Sequence, residues 1–218
     1  MDRKFWYLDR MDEELGLRER KKLATRQALS RAALRLAVER GLENVLVEDI
    51  AAAAGVSPRT FNNYFSSKAE AITSPQVDRA RRLAVEVRRR PRGESLWEAI
   101  LEAALEQYDV AEEPEWTTGV RLLLSEPALI GEFHRASSAV ERELAEAVAE
   151  RTGTDVEQLY PRLVAASVGA AIQVATDRWV HTTPPAPLTP LVREAISQVA
   201  AGLPEPATTA RPGEEARP

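Results

Sequence analysis

The sequence predicts an all-α protein in two unequal parts, and three observations lead there. Ala, Leu, Glu and Arg dominate while Gly is sparse, so most residues lose little on entering a helix. Apolar residues recur at helical spacing, and no alternating run of β-branched residues is long enough to be read as a strand. Charge is divided along the chain. Residues 1–92 hold 20 Lys and Arg against 13 Asp and Glu, and the remainder holds 9 against 21, so a basic first part precedes an acidic one within a net charge of −5. With 218 residues, 44% of them apolar, the chain is long enough for a sizeable core.

The elements follow in order. Residues 1–22 are charged apart from Phe5, Trp6 and Tyr7, and are expected to form a flexible basic arm, with Met11 as an alternative start. Leu29, Ala32, Ala33 and Leu36 recur at i, i+3, i+4 and i+7 before Gly41, which predicts a helix from about Leu23 to Arg40. Val47, Ile50, Ala51 and Ala54 give a second short period closed by Gly55. Ser57 then offers an N-cap hydroxyl, Pro58 suits a first helical position, and Phe61 and Phe65 share one face. Three helices, the last two short and joined at a glycine, make a helix-turn-helix over residues 23–72.

The face opposite the two phenylalanines carries the chemistry. At about 100° per residue, Arg59 and Asn63 point away from the core, flanked by Thr60, Asn62 and Tyr64. Arg pairs two donors with guanine, Asn pairs both ways with adenine, and hydroxyls donate to phosphates. Lys68 adds a point charge for phosphate.

The segment from Arg18 to Ile72 resembles the TetR family of bacterial transcriptional regulators. The resemblance rests on the helix from Leu23 to Gly41 and on VEDIAAAAGVSPRTFNNYFSSK, Val47 to Lys68. It implies that Arg59, Asn62 and Asn63 read bases, that Thr60, Tyr64 and Lys68 hold phosphates beside the capping Ser57, and that Thr25 and Arg26 touch the DNA backbone. Two positions depart from the family pattern: Leu46 stands where a capping Thr is usual, and Asn62 where an aromatic is usual.

Residues 73–203 are expected to form a larger helical domain for ligand binding and dimerisation, followed by a disordered tail over 204–218. A break or kink is expected near Thr73 to Pro75, because proline removes a helical hydrogen bond, and it is read as a hinge. The arginines at 79, 81, 82, 88, 89, 90 and 92 are read as the solvated side of the outgoing helix. Further helices are predicted at about Ser95–Val110, Glu115–Leu124, Leu129–Arg151, Asp155–His181 and Leu188–Leu203. Acidic residues Glu112, Glu113 and Glu115 separate the first two, and a proline connector over residues 184–190 precedes the last. The resemblance implies a four-helix dimer interface, for which Val164, Val168, Ala171, Ile172, Ala175 and Trp179 form the expected stripe. It also implies a small-molecule pocket, for which Trp97, Tyr108, Trp116, Phe133, His134 and Gln173 are the expected lining.

An enzyme is disfavoured: the chain has no cysteine, two histidines and no glycine-rich loop, so no nucleophile, metal set or phosphate cradle is legible. No cofactor or metal is expected. No apolar run approaches membrane-spanning length and Met1 to Arg10 is unlike a signal peptide, so a cytoplasmic protein without membrane contact is expected. The expectation is a homodimeric repressor that binds an inverted-repeat duplex operator and is released by a small-molecule effector. The alternative is a helix-turn-helix protein without DNA binding, acting as a ligand-binding or protein-interaction module.

Overall fold

The computed structural model describes residues 16–108, 114–182 and 187–203, the side chains of 114–116 apart. Among these residues the chain is helical throughout: α1 (Leu17–Arg40), a 3₁₀ turn (Leu42–Asn44), α2 (Val47–Ala53), α3 (Pro58–Asn62), α4 (Lys68–Arg89), α5 (Leu96–Tyr108), α6 (Pro114–Ser125), α7 (Pro127–Thr152), α8 (Leu159–Val180) and α9 (Leu188–Ala200). No described helix is long and apolar enough to cross a membrane. The first 15 residues of the expected arm, the acidic residues at 112 and 113, residues 184–186 of the proline connector and the tail lie outside the described residues. Residues 188–190 of that connector correct the expectation by belonging to α9, which proline can open because its missing N–H falls in the first turn. The arm's last six residues correct the expectation, since α1 begins at Leu17. Residues 17–24 are exposed on every side, so no apolar period marks them, but they are mostly good helix formers continuous with a buried stretch.

The interior is divided into two apolar clusters. One gathers Leu29, Ala33, Leu36, Val45, Ile50, Phe61, Phe65 and Ile72 from α1 to α4, and reaches Leu123 of α6 and Leu129 of α7. The other lies among α4 to α9 and centres on Ala84, Val87, Ile100, Val148, Val168 and Val192. α4 runs through both, as do α6, through Val120 and Leu123, and α7, through Leu129 and Val148. The 22 residues of α4 make a rod about 33 Å long.

The expected break at Thr73 to Pro75 is absent, because α4 continues through Pro75. Proline leaves the carbonyl of Ala71 without its usual backbone donor. The Ser74 hydroxyl takes that place, donating to Ala71 O at 3.1 Å, while Thr73 Oγ1 donates to Ala69 O at 3.0 Å. Pro75 itself is exposed and displaces no packing.

The arginine run beyond it is also corrected. Arg79 is buried, and several of the others are paired with α7 rather than solvated. Arg81 Nε donates to Glu143 at 2.9 Å, and Arg88 reaches Glu150 at 3.0 Å and Glu146 at 3.3 Å. From α7, Arg151 donates to the carbonyls of Val87, Arg90, Pro91 and Glu94, closing the C-terminal end of α4 with the sign its dipole favours. The dimer stripe is corrected too. Val164, Val168, Ala171, Ala175 and Trp179 are buried in the chain's own core, and Ile172 packs against it. Two faces of α8 carry apolar or small residues, and the one with more bulky side chains is taken up by the helices of the same chain.

Pro75→Ala is expected to raise stability by about 1–2 kcal/mol, since an exposed interior proline is replaced by the best helix former. Ser74→Ala should then cost less in the Pro75→Ala background than in the parent. Urea unfolding of the four proteins measures both effects.

Candidate nucleic-acid interface

The head is assembled from short helices with well-defined ends. In α2 the terminal residues close as a Schellman turn: Val56 N donates to Ala51 O at 2.9 Å and Gly55 N to Ala52 O at 3.0 Å. Gly55 stands at φ +70°, where a side chain would be strained, so this glycine is what turns the chain into α3. At the start of α3, Thr60 N donates to Ser57 Oγ at 3.2 Å and the two hydroxyls lie 2.9 Å apart. Pro58 occupies the first turn, where its missing N–H costs nothing.

Phe61 and Phe65 are fully buried, with ring centroids 5.7 Å apart, and they fix the rotation of α3. Arg59, Asn62 and Asn63 are consequently exposed together on the outer face, with Thr60 and Tyr64 half-buried at its margins. The base-reading candidates are thus brought onto one surface.

Three other candidates have internal duties. Lys68 Nζ donates to Leu42 O at 2.7 Å and to Val45 O at 3.0 Å, so its ammonium ties the 3₁₀ turn to the start of α4. Arg26 pairs with Asp78 of α4, and its guanidinium lies 5.0 Å from the centroid of the Phe65 ring. Thr25 Oγ1 donates to Lys21 O at 2.9 Å within α1. Sequence reasoning missed Asp78, which no motif marks. It is found only when α1 and α4 are seen side by side, and it also faces Arg81 at 3.6 Å. At the N-cap of α2, Leu46 is exposed and offers no side-chain acceptor, while its N–H donates to Asp49 Oδ2 at 3.3 Å.

The expected ligand set does not come together. Trp97 and Tyr108 belong to the larger core and Phe133 packs on the head's core, whereas His134 and Gln173 are exposed. The Trp116 side chain lies outside the described residues. The set was drawn from residue type alone, and helix rotation turns His134 and Gln173 outward.

A buried-face helix-turn-helix joined by one long helix to a larger helical body defines a regulator of transcription. The comparisons agree. The family model described as bacterial regulatory proteins of the tetR family matches residues 29–71, and the one described as the MftR C-terminal domain matches residues 91–204. The HTH-type transcriptional regulator TcmR of Streptomyces glaucescens is 35% identical over 178 residues, spanning 75% of this chain and 76% of that protein. Among solved structures, the fatty acid degradation regulator FadR of Bacillus halodurans is similar with a TM-score of 0.57 at 20% identity, over 82% of this chain and 96% of that one. The FadR repressor of Thermus thermophilus, in complex with lauroyl-CoA, is similar with a TM-score of 0.53 at 22% identity, over 86% of this chain and all of that one. The chain belongs to the TetR family of transcriptional regulators.

Lys68→Met is expected to lower stability by about 1.5–3 kcal/mol, because carbonyls that accept from a charged donor lose it. Urea unfolding measures the loss, and an unchanged midpoint would show that the ammonium does not hold the turn.

Proposed function

We propose that the protein is a homodimeric repressor that binds an inverted-repeat operator and leaves it when a small-molecule effector binds the larger domain. The observation that carries this reading is the exposure of Arg59, Asn62 and Asn63 on one face while Phe61 and Phe65 lock the other. Arg59 and the two asparagines suit guanine and adenine edges in a major groove, and Thr60 and Tyr64 suit the flanking phosphates. Ser57 holds the helix end in place.

A second copy accounts for the outer face of α8. Leu159, Leu163, Ala166, Ala170 and Val174 are exposed at successive spacings of four, three, four and four, with Leu163 at 52% and Val174 at 66% exposure. Such a stripe is an interface spacing, and its two alanines let a partner helix approach closely. A two-fold dimer places two reading heads on one duplex and calls for a repeat of matching symmetry.

Release requires that the effector bind the DNA-incompetent arrangement more tightly than the competent one. The route runs through α4: Asp78 holds Arg26, Arg26 covers Phe65, and Phe65 follows the reading helix. Repression and effector release draw support from relatives. SmeT of Stenotrophomonas maltophilia is described as the repressor of a multidrug efflux pump, and the Thermus FadR repressor holds lauroyl-CoA.

Titration into a labelled duplex pool, followed by selection, should yield a palindromic site whose affinity falls steeply with salt. Asn63→Ala should relax choice at particular base pairs by about 1–3 kcal/mol while random-duplex binding changes little. Equal losses on selected and random duplexes would count against Asn63 as a base reader. Val174→Glu with Leu163→Arg should convert the dimer to a helical monomer in sedimentation and abolish preference for the full repeat over a half-site. A dimer that survives both changes would place the interface elsewhere.

A further inference from the structure

A single residue separates α6 from α7, and each of these helices sends an apolar side chain into the core of the head. α6 ends at Ser125 and α7 begins at Pro127, with Glu126 between them. The corner is closed by its own hydrogen bonds. Glu126 N donates to Leu122 O at 3.1 Å, and Leu129 N and Ile130 N donate to Glu126 O at 2.9 and 3.1 Å. Before the corner Leu123 is buried, and after it Leu129 is 0% exposed. Both belong to the cluster that holds Phe61 and Phe65, which orient α3. The head's core is thus completed by two leucines of the larger domain. One turn before Leu123, Gly119 passes so close to the head that a Cβ there would lie 3.1 Å from Gln76 Nε2 and 3.4 Å from Leu34 Cδ2. Leu34 belongs to α1 and Gln76 to α4, so α6 meets both helices at once.

A head joined to the body by α4 alone would keep the freedom to bend and turn that a long helix allows. A second attachment away from the axis of α4 removes that freedom. Leu129 is such an attachment, because withdrawing it would open a cavity in a packed core, and packed cores shift between discrete arrangements rather than slide. On a duplex this matters in steps of one base pair. Each added pair moves the second half-site by about 3.4 Å and turns it by about a tenth of a turn. Two heads held more tightly than that step accept one spacing, and two heads that swing accept several.

We infer that the α6–α7 corner, seated in the head by Leu129 and by the close approach at Gly119, sets which spacing between half-sites the protein accepts. Leu129 is a positioning residue: it is enclosed in the head's core and acts on the duplex only through the orientation of α3. The inference rests on the proposed dimer and inverted repeat, and it gives that reading the source of its spacing selectivity.

The full-length protein is titrated into labelled duplexes that carry the selected half-sites as an inverted repeat, with the spacer changed one base pair at a time, and into a duplex with one half-site. The parent is expected to bind one spacing about tenfold more tightly than its neighbours. Leu129→Ala should bring that ratio below about threefold, and Leu129→Met, of similar volume, should keep it. Leu36→Ala truncates a leucine that α1 supplies to the same core. A smaller folded fraction lowers the affinity for every duplex by the same factor, so destabilisation alone leaves the ratio unchanged, and Leu36→Ala should keep the parent's preference. Where Leu129→Ala does not fold, Gly119→Ala decides: its methyl group presses on Leu34 and Gln76, and it should move the preferred spacing or flatten the preference. A parental ratio in the deciding variant, or an equal fall in Leu36→Ala, would overturn the inference and leave the dimer reading standing. A parent that binds every spacing and the single half-site equally would remove the inverted-repeat reading and the inference with it.

Discussion

The carbonyl of Ala71 has no backbone donor, because the residue four positions on is Pro75, and the Ser74 hydroxyl that replaces that donor keeps α4 a single rod. Much of the molecule depends on that continuity of α4. The N-terminal part of α4 closes the core of the head through Ala71 and Ile72, and its C-terminal part supplies Leu83, Ala84 and Val87 to the larger core. A break between them would leave the two cores joined through α6 and α7 alone. As one helix, α4 ties the two cores together through a continuous hydrogen-bonded backbone.

The attachments of α4 are unlike on its different sides. Toward α7 it is held by paired Arg81 and Arg88 and by Arg151 at its C-terminal end, arrangements that are partly exposed and individually worth little, but that recur along the length of contact. Toward α1 it is held by the Arg26–Asp78 pair and by the buried Ser30 and Ser74. Toward α5 and α6 it presents Gln76 and Arg79 among apolar neighbours. The charge contrast between the two halves of the sequence acquires a second meaning here. Part of the basic excess in residues 1–92 answers glutamates of α7 in the same molecule, so only the remainder is available to a nucleic acid.

Much of the candidate interface was legible from residue order. Gly55, Ser57 and Pro58 specify their turn and cap through φ, a hydroxyl acceptor and a missing N–H, all local effects, and the four-residue spacing of Phe61 and Phe65 orients Arg59, Asn62 and Asn63 outward. The internal partners of Lys68 and Arg26 were not legible, because a cation on a helix has the same appearance whether it meets a phosphate, a row of carbonyls or a carboxylate 52 residues away. The ligand set failed for a related reason. Aromatic type does not say which helices will converge.

By itself, then, the sequence determined the helical class, the family, the order of the elements and the outward face of α3, because each is set by period, cap or turn within a few residues. Tertiary structure decided which side of α8 is core and which is left exposed, since both sides carry apolar or small residues and only packing against the neighbouring helices selects between them. It also decided that α4 passes through Pro75, and that Asp78 and Arg26 meet. Those outcomes depend on groups brought together from distant positions, whose mutual distances no local period encodes.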